Sequence, residues 1–164
     1  MRQIGFFCMF NIVLVHPQIP QNTGSIGRMC VNADCALHII KPTMFEINDK
    51  TVKRAGLDYW PLLEVHIWEN LEAFLEANKE HLNRFFFATT KTKKPYFEAK
   101  FEKGDFIFFG GESTGLPTEL MQMKWENAIT IPMGKNGRSL NQATSAGIIL
   151  YDAIRQNFAQ FEQA

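Results

Sequence analysis

Six short apolar runs punctuate the chain, at residues 10–15, 36–41, 65–68, 85–89, 106–109 and 128–131. Their apolar character is continuous, as in Phe106-Ile107-Phe108-Phe109, and does not alternate with polar positions. Continuous runs of this length belong to strands buried on both faces, the usual state of a parallel sheet. The stretches between them carry helical spacing. Asn70 is placed to cap a helix over 71–78, in which Leu71, Phe74 and Leu75 share one face. Further helices are expected over 25–33, over 118–123 after Pro117, and over 140–158.

Other segments resist both periods. Pro17 and Pro20 argue against regular helix over 16–24, where Asn22-Thr23-Gly24 reads as loop and cap. Asn48-Asp49 offers a cap for a basic turn through Lys50, Lys53 and Arg54 that Gly56 stops. Residues 91–103 hold five lysines among Pro95, Tyr96, Phe97 and Phe101 and read as an irregular, solvated excursion. Strands alternating with helices specify an α/β fold: a mainly parallel sheet with helices on both faces. One domain spanning 1–164 accounts for the pattern, with 1–8 expected as an N-terminal extension before Met9. On the last helix Leu140, Ala143, Gly147, Leu150, Ile154 and Phe158 form one stripe, which Ala146, Ile149 and Ala153 widen. That is more apolar surface than one sheet face needs, so a second subunit is expected against it.

Composition narrows the chemistry. The chain has 46% apolar residues, enough for a core without disulfide or metal staples. Its 17 basic and 17 acidic residues cancel, so any grip on nucleic acid must come from a local patch. Cys8, Cys30 and Cys35 read as reduced thiols, and the four histidines are scattered without ligand spacing, so no metal is expected. No run is long enough to span a membrane and no signal peptide is evident, so a cytoplasmic, soluble protein is expected.

Candidate chemistry concentrates in 106–147, where two apolar runs spill into glycine-bearing loops. Gly111-Glu112-Ser113-Thr114-Gly115 matches the G-x-S-x-G nucleophile elbow. Such hydrolases place their histidine after the serine, and the last histidine here is His81, so the orthodox triad is impossible. Gly110 and Gly115 have P-loop spacing, but Leu116-Pro117 stands where Lys-Ser/Thr must reach phosphate and Mg²⁺. No G-x-G-x-x-G follows the first strand, which removes a Rossmann dinucleotide site. Three loops remain, suited to a polar ligand with an aromatic part. The first holds Pro20, Asn22, Thr23, Gly24 and Arg28; the second Gly110, Gly111, Glu112, Gly115, Leu116 and Pro117; the third Ile131, Pro132 and Met133 with Arg138-Ser139-Leu140-Asn141.

In this order and spacing the loops resemble motifs 1, 2 and 3 of the SPOUT RNA methyltransferases. Ile19-Pro20-Gln21-Asn22-Thr23-Gly24 and the segment 53–59 are similar to its YibK/TrmL subgroup, tRNA 2′-O-methyltransferases acting on the wobble nucleotide, position 34. The resemblance runs from Met9 over nearly the whole chain. It implies a deep C-terminal trefoil knot, a homodimer through the last helix and the motif 1 region, and S-adenosyl-L-methionine (AdoMet) as cofactor. It places Ala88, Gly110, Glu112, Gly115, Ile131, Met133, Ser139 and Leu140 at the cofactor. Ala88 is smaller than the aliphatic residue expected there.

The catalytic set implied is Arg28, Asn22, Ser139 and Asn141, with Arg28, Lys53, Arg54 and Arg138 on the tRNA and Lys41, Lys50 and Lys135 beside them. A guanidinium, with a pKa above about 12, does not serve as a general base; Arg28 suits phosphate positioning and stabilisation of a developing alkoxide. Asn22 either holds the substrate ribose or pins its own loop. Glu112 either faces the cofactor or caps the motif 2 turn, and Ser139 and Asn141 combine capping with ligand contact. Tyr151 serves packing or subunit contact, with a place in the substrate site as the alternative. Another tRNA position, ribosomal RNA, or a non-catalytic RNA-binding role are the alternatives for function.

Overall fold

The computed structural model describes residues 8–48, 50 and 58–163. Strands β1 (Asn11–Val15), β2 (Ala36–Ile40), β3 (Val65–Trp68), β4 (Phe85–Ala88), β5 (Phe106–Gly110) and β6 (Ala128–Ile129) form one sheet in the order β3-β2-β1-β5-β4-β6. Every pairing is parallel, as the continuous apolar runs require.

Alternate residues of each strand feed separate cores. Ile12, Leu14, Phe86, Ile107 and Phe109 face helices α1 (Pro20–Asn32) and α4 (Gln142–Gln156), meeting Ile26, Cys30, Ile149, Leu150 and Ile154. Val13, Val15, Phe85, Phe87, Phe106 and Phe108 face α2 (Leu71–Ala77) and α3 (Thr118–Gln122), meeting Phe74, Leu120 and Met121. Phe74 sits edge-on to Phe106 and Phe108 at centroid separations of 6.0 and 5.7 Å. Full burial of each such ring contributes roughly 1.5–3 kcal/mol. Asn70 caps α2 by accepting from the Ala73 N–H at 2.8 Å.

Buried polar groups in the sheet are paired. His38 accepts from Trp68 Nε1 through Nδ1 at 3.1 Å and meets Asn11 Oδ1 through Nε2 at 3.1 Å. Indole is only a donor, so His38 is the neutral Nε2–H tautomer. Burial, with His66 beside it, pushes its pKa down to about 3. Cys8, Cys30 and Cys35 are buried thiols outside any disulfide, and burial pushes the Cys30 and Cys35 thiols up. Asp105 forms a two-pronged ion pair with Arg84 at 2.7 and 2.6 Å.

Two helices depart from the expectation. Helix α1 begins at Pro20, inside the stretch where prolines argued against helix. Proline's missing N–H costs nothing in a first turn, and the Asn22 and Thr23 N–H groups are met locally by the Ile19 carbonyl at 3.2 and 3.3 Å, while the Glu112 carboxylate holds the segment just before the helix, accepting from the backbone N–H of Gln18 and Ile19 at 2.7 and 3.3 Å. The stripe on α4 is centred differently too. Its buried face is Gln142, Ala146, Ile149, Leu150, Ala153 and Ile154, while Leu140 and Phe158 lie beyond the helix ends and are exposed. The residues read as widening the stripe are its centre. Strand β6 is shorter than expected: Thr130 leaves it to bridge Pro95, which anchors the lysine-rich excursion to the sheet. Among the described residues no helix is long and apolar enough to cross a membrane.

Candidate functional site

Gly110 ends β5, and the chain turns straight back over it. A Cβ at Gly110 would stand 2.1 Å from the carbonyl carbon of Gly115 and 2.3 Å from the Leu116 nitrogen, so only glycine admits that backbone. The turn closes with the Gly115 N–H donating to the Gly111 carbonyl at 2.9 Å, and Gly115 takes φ +68°, a region open to glycine. Its outer part is tied to the loop after β1: the Ser113 N–H and hydroxyl both donate to Gln18 Oε1, at 2.7 and 3.0 Å. Ser113 thus has an amide as partner, where a nucleophile needs a base. Glu112 makes the second tie, accepting from the Gln18 and Ile19 N–H groups just ahead of α1, a bond to another loop in place of a cap on its own turn.

The third loop arrives at the start of α4. Asn141 caps that helix, its Oδ1 accepting from the Ala143 and Thr144 N–H groups at 2.9 and 3.1 Å, while its Nδ2 donates to Asn22 Oδ1 at 2.9 Å. Asn22 is buried on α1, so two motif asparagines lock the helices that carry them. The next residue, Gln142, donates through Nε2 to the Gly110 carbonyl at 2.7 Å, and its Oε1 is buried without a hydrogen-bond partner among the described residues.

These links enclose a cleft of about 530 Å³ at the carboxyl ends of β4, β5 and β6, the edge of an open parallel sheet where ligands bind. Its size lies within the range of small-molecule sites, roughly 300–1,000 Å³. Ala88, Gly110, Glu112, Gly115, Ile131, Met133, Ser139 and Leu140 all line it, as do Asn22 and Asn141. Ile131, Met133, Leu140 and Ile149 supply apolar contact; Thr89, Thr90, Lys91, Ser139 and Ser145 supply polar rim. Arg28 and Arg138 are exposed and outside the lining. Arg28 instead holds its guanidinium 5.0 Å from the centre of the Tyr59 ring. Lys53 and Arg54 lie outside the described residues.

Sequence reading missed Gln142, the Thr89-Thr90-Lys91 rim and the tie through Gln18. Gln142 did carry a signal, a polar side chain on an otherwise apolar helix face. The cleft fits an adenosine-bearing cofactor: a glycine cradle for close backbone approach, apolar walls for a planar ring, and in Gln142 Oε1 a buried acceptor. Among the described residues no three His, Cys, Asp or Glu side chains converge as metal ligands.

Relatives share this architecture over nearly the full chain. A protein of Aeromonas hydrophila subsp. hydrophila named tRNA (cytidine(34)-2′-O)-methyltransferase is 45% identical over 149 residues, covering 90% of this chain and 94% of that protein. One of Methylovorus glucosotrophus with the same name is 43% identical over 150 residues, covering 91% and 96%. A solved structure described as "Structural insights into the 2-OH methylation of C/U34 on tRNA" superposes with a TM-score of 0.85 at 38% identity, covering 93% of this chain and 98% of that one. An AdoMet complex of the SpoU methyltransferase AviRb from Streptomyces viridochromogenes shares the fold, with a TM-score of 0.76 at 21% identity over 93% of this chain and 59% of that one. With residues 9–151 matching the family model, the chain belongs to the SpoU rRNA methylase family.

Proposed function

We propose that this protein is an AdoMet-dependent tRNA methyltransferase that methylates the ribose 2′-hydroxyl of the wobble nucleotide, position 34, in the cytoplasm. The observation that carries the reading is the single cleft on which Asn22, Gly110 and Asn141 converge from three separate loops. The names of relatives that match nine tenths of the chain support the substrate.

Bound there, AdoMet supplies an electrophilic methyl group on its sulfonium. Ile131, Met133 and Leu140 offer apolar contact to the adenine, and Gly110 and Gly115 let backbone approach it. Asn22, fixed by Asn141, is placed to orient the ribose for in-line attack. The hydroxyl proton leaves to phosphate or water, while a guanidinium stabilises the developing alkoxide.

Arg28 projects from the exposed side of α1, outside its own cleft, and serves that role across a homodimer, in which α1 and α4 meet their counterparts. The exposure of Tyr151 (47%) and Phe158 (53%) at the α4 side supports such an interface. The family resemblance implies a C-terminal knot, in which the Gln142 bond to the Gly110 carbonyl would hold the last helix against the loop it threads. Exposed Lys50, Lys135 and Arg138, with Lys41, Lys53 and Arg54, would meet tRNA phosphates once doubled by the dimer.

The test is nucleoside mass spectrometry of tRNA from a deletion strain, paired with methyl transfer by purified protein. The 2′-O-methyl nucleotide at position 34 should vanish in the strain and be restored in vitro. Its persistence, together with no transfer by the purified protein, sinks the reading.

A further inference from the structure

A second cleft, of about 390 Å³, opens at the carboxyl ends of β1 and β2. His16 forms its floor, Pro42, Thr43 and Met44 one wall, and Thr114 to Pro117 the other. Thr114, Gly115 and Leu116 also line the cofactor cleft, so one loop is the partition between the two cavities. Resting on the methyltransferase reading above, we propose that this cleft holds the pyrimidine base of the nucleotide whose ribose is methylated, with His16 as the residue that reads its edge.

Three observations converge on His16. Its φ of 54° puts a non-glycine residue in the left-handed region, a conformation that costs energy and clusters at ligand sites. It is clamped there: the His16 N–H donates to the Ile40 carbonyl at 3.0 Å, and the His16 carbonyl lies 2.8 Å from where a Gly111 Cβ would stand. Its Nδ1 is buried with no hydrogen-bond partner among the described residues, a rarity that calls for a cause. The rest of the cleft is suited to the faces of a planar ring. Pro42, Leu116 and Pro117 are apolar, and Met44, 74% exposed, lays a polarisable thioether over the opening, where Gln18 Nε2 meets its sulfur at 3.2 Å.

Apolar walls with one orienting polar group are the pattern of a small-ligand site. The shared partition is the argument for this occupant: a nucleotide straddling 114–116 with its sugar at the cofactor cleft would carry its base into this one. Imidazole would also suit both pyrimidines, C and U, that the description of the solved relative names. A neutral ring nitrogen accepts from the amino group of cytosine, and the other tautomer donates to the carbonyl of uracil, so one side chain serves both pyrimidines.

The test is methyl transfer to anticodon stem-loop RNAs bearing cytosine, uracil or an abasic residue at the target position. His16→Gly removes the imidazole while keeping the backbone conformation at no steric cost. It should lower kcat/KM for both pyrimidine RNAs about tenfold, mostly through KM, and cause no further loss on the abasic RNA. His16→Asn, which tolerates the same φ and keeps a donor and an acceptor, should recover part of the loss. Met44→Ala should lose activity in the same base-dependent way. Titration with S-adenosylhomocysteine should be unchanged in all three, since the cofactor cleft is untouched. Equal losses on abasic and cytosine RNA, or no loss on either, overturn the proposal. Failure of the parent reading looks different, since wild type would then methylate none of the RNAs. The pocket is then tested by fluorescence of pyrrolocytosine at the target position during protein titration, where a response identical in wild type and His16→Gly also overturns it.

Discussion

Substituting Gly110 with alanine puts a methyl group where no space exists. The new Cβ would stand 2.1 Å from the Gly115 carbonyl carbon, 2.3 Å from the Leu116 nitrogen and 2.5 Å from the Gly115 oxygen, all backbone atoms. Ordinary contact begins near 3.4 Å, so the crossing strand of the loop must move by about 1.3 Å (3.4 minus 2.1). That shift strains the Gly115 to Gly111 hydrogen bond and the ties from Glu112 and Ser113 to residues 18 and 19. Overpacking of this kind costs roughly 1–3 kcal/mol, and loss of one charge-assisted tie adds roughly 1.5–3. Gly110→Ala should therefore lose about 3–5 kcal/mol in urea titrations and bind AdoMet at least tenfold more weakly by calorimetry. Gly134→Ala, where a Cβ meets nothing within 4 Å, is the control and should match wild type in both measurements. Native stability and native AdoMet affinity in Gly110→Ala would refute the argument that the loop's crossing shapes the cleft.

Two further outcomes follow from contacts around the sheet and its last helix. Asn141→Ala removes the cap of α4 and the bond to Asn22, and should cost about 1–2 kcal/mol of stability with a fall in methyl transfer; Asn141→Asp should regain the cap's share but not the activity, and urea midpoints no higher than the alanine variant's would contradict the capping role. His38 stays neutral in the fold with its pKa pushed down to about 3, while an unfolded imidazole protonates near 6.5. The folded state then binds fewer protons between these values, so His38's contribution to stability is complete above about pH 6.5 and is lost as pH falls toward 3, at about 1.4 kcal/mol per unit. Urea midpoints from pH 7 to 5 should fall more steeply in wild type than in His38→Leu; equal slopes would show that the imidazole is not the titrating group.

What the sequence disclosed and what it withheld divide along physical lines. The inner strands were legible because runs such as Phe85-Phe86-Phe87 are buried on both faces, and burial on both faces leaves a continuous apolar signature; edge strand β3, only partly buried, showed through the composition of Val65-His66-Ile67-Trp68. The cleft at the ends of β4, β5 and β6 was legible because each loop follows such a run, and glycine at 110 and 115 marks close backbone approach. The start of α1 was not, because the segment that leads into it is held by Glu112, 94 residues from Gln18, and local rules do not see that far. The phase of the α4 stripe was misread because Leu140 looks like the helix's first apolar contact, whereas Asn141 caps the helix and sends Leu140 to the cleft wall. Nothing local distinguishes His16 either; its left-handed backbone comes from the clamp by Ile40 and Gly111.

The bonds that close the cleft also set when it comes into being during synthesis. Asn22 waits for a partner 119 residues downstream, and the Gly110 carbonyl for one 32 residues later. A nascent chain stalled short of residue 141 therefore carries its strands but neither of these two bonds, with the part of the sheet that α4 covers left bare and no binding-competent state to be rescued by ligand. High contact order makes that closing step slow, and it makes the fully emerged chain the earliest species on which AdoMet can act as a folding ligand.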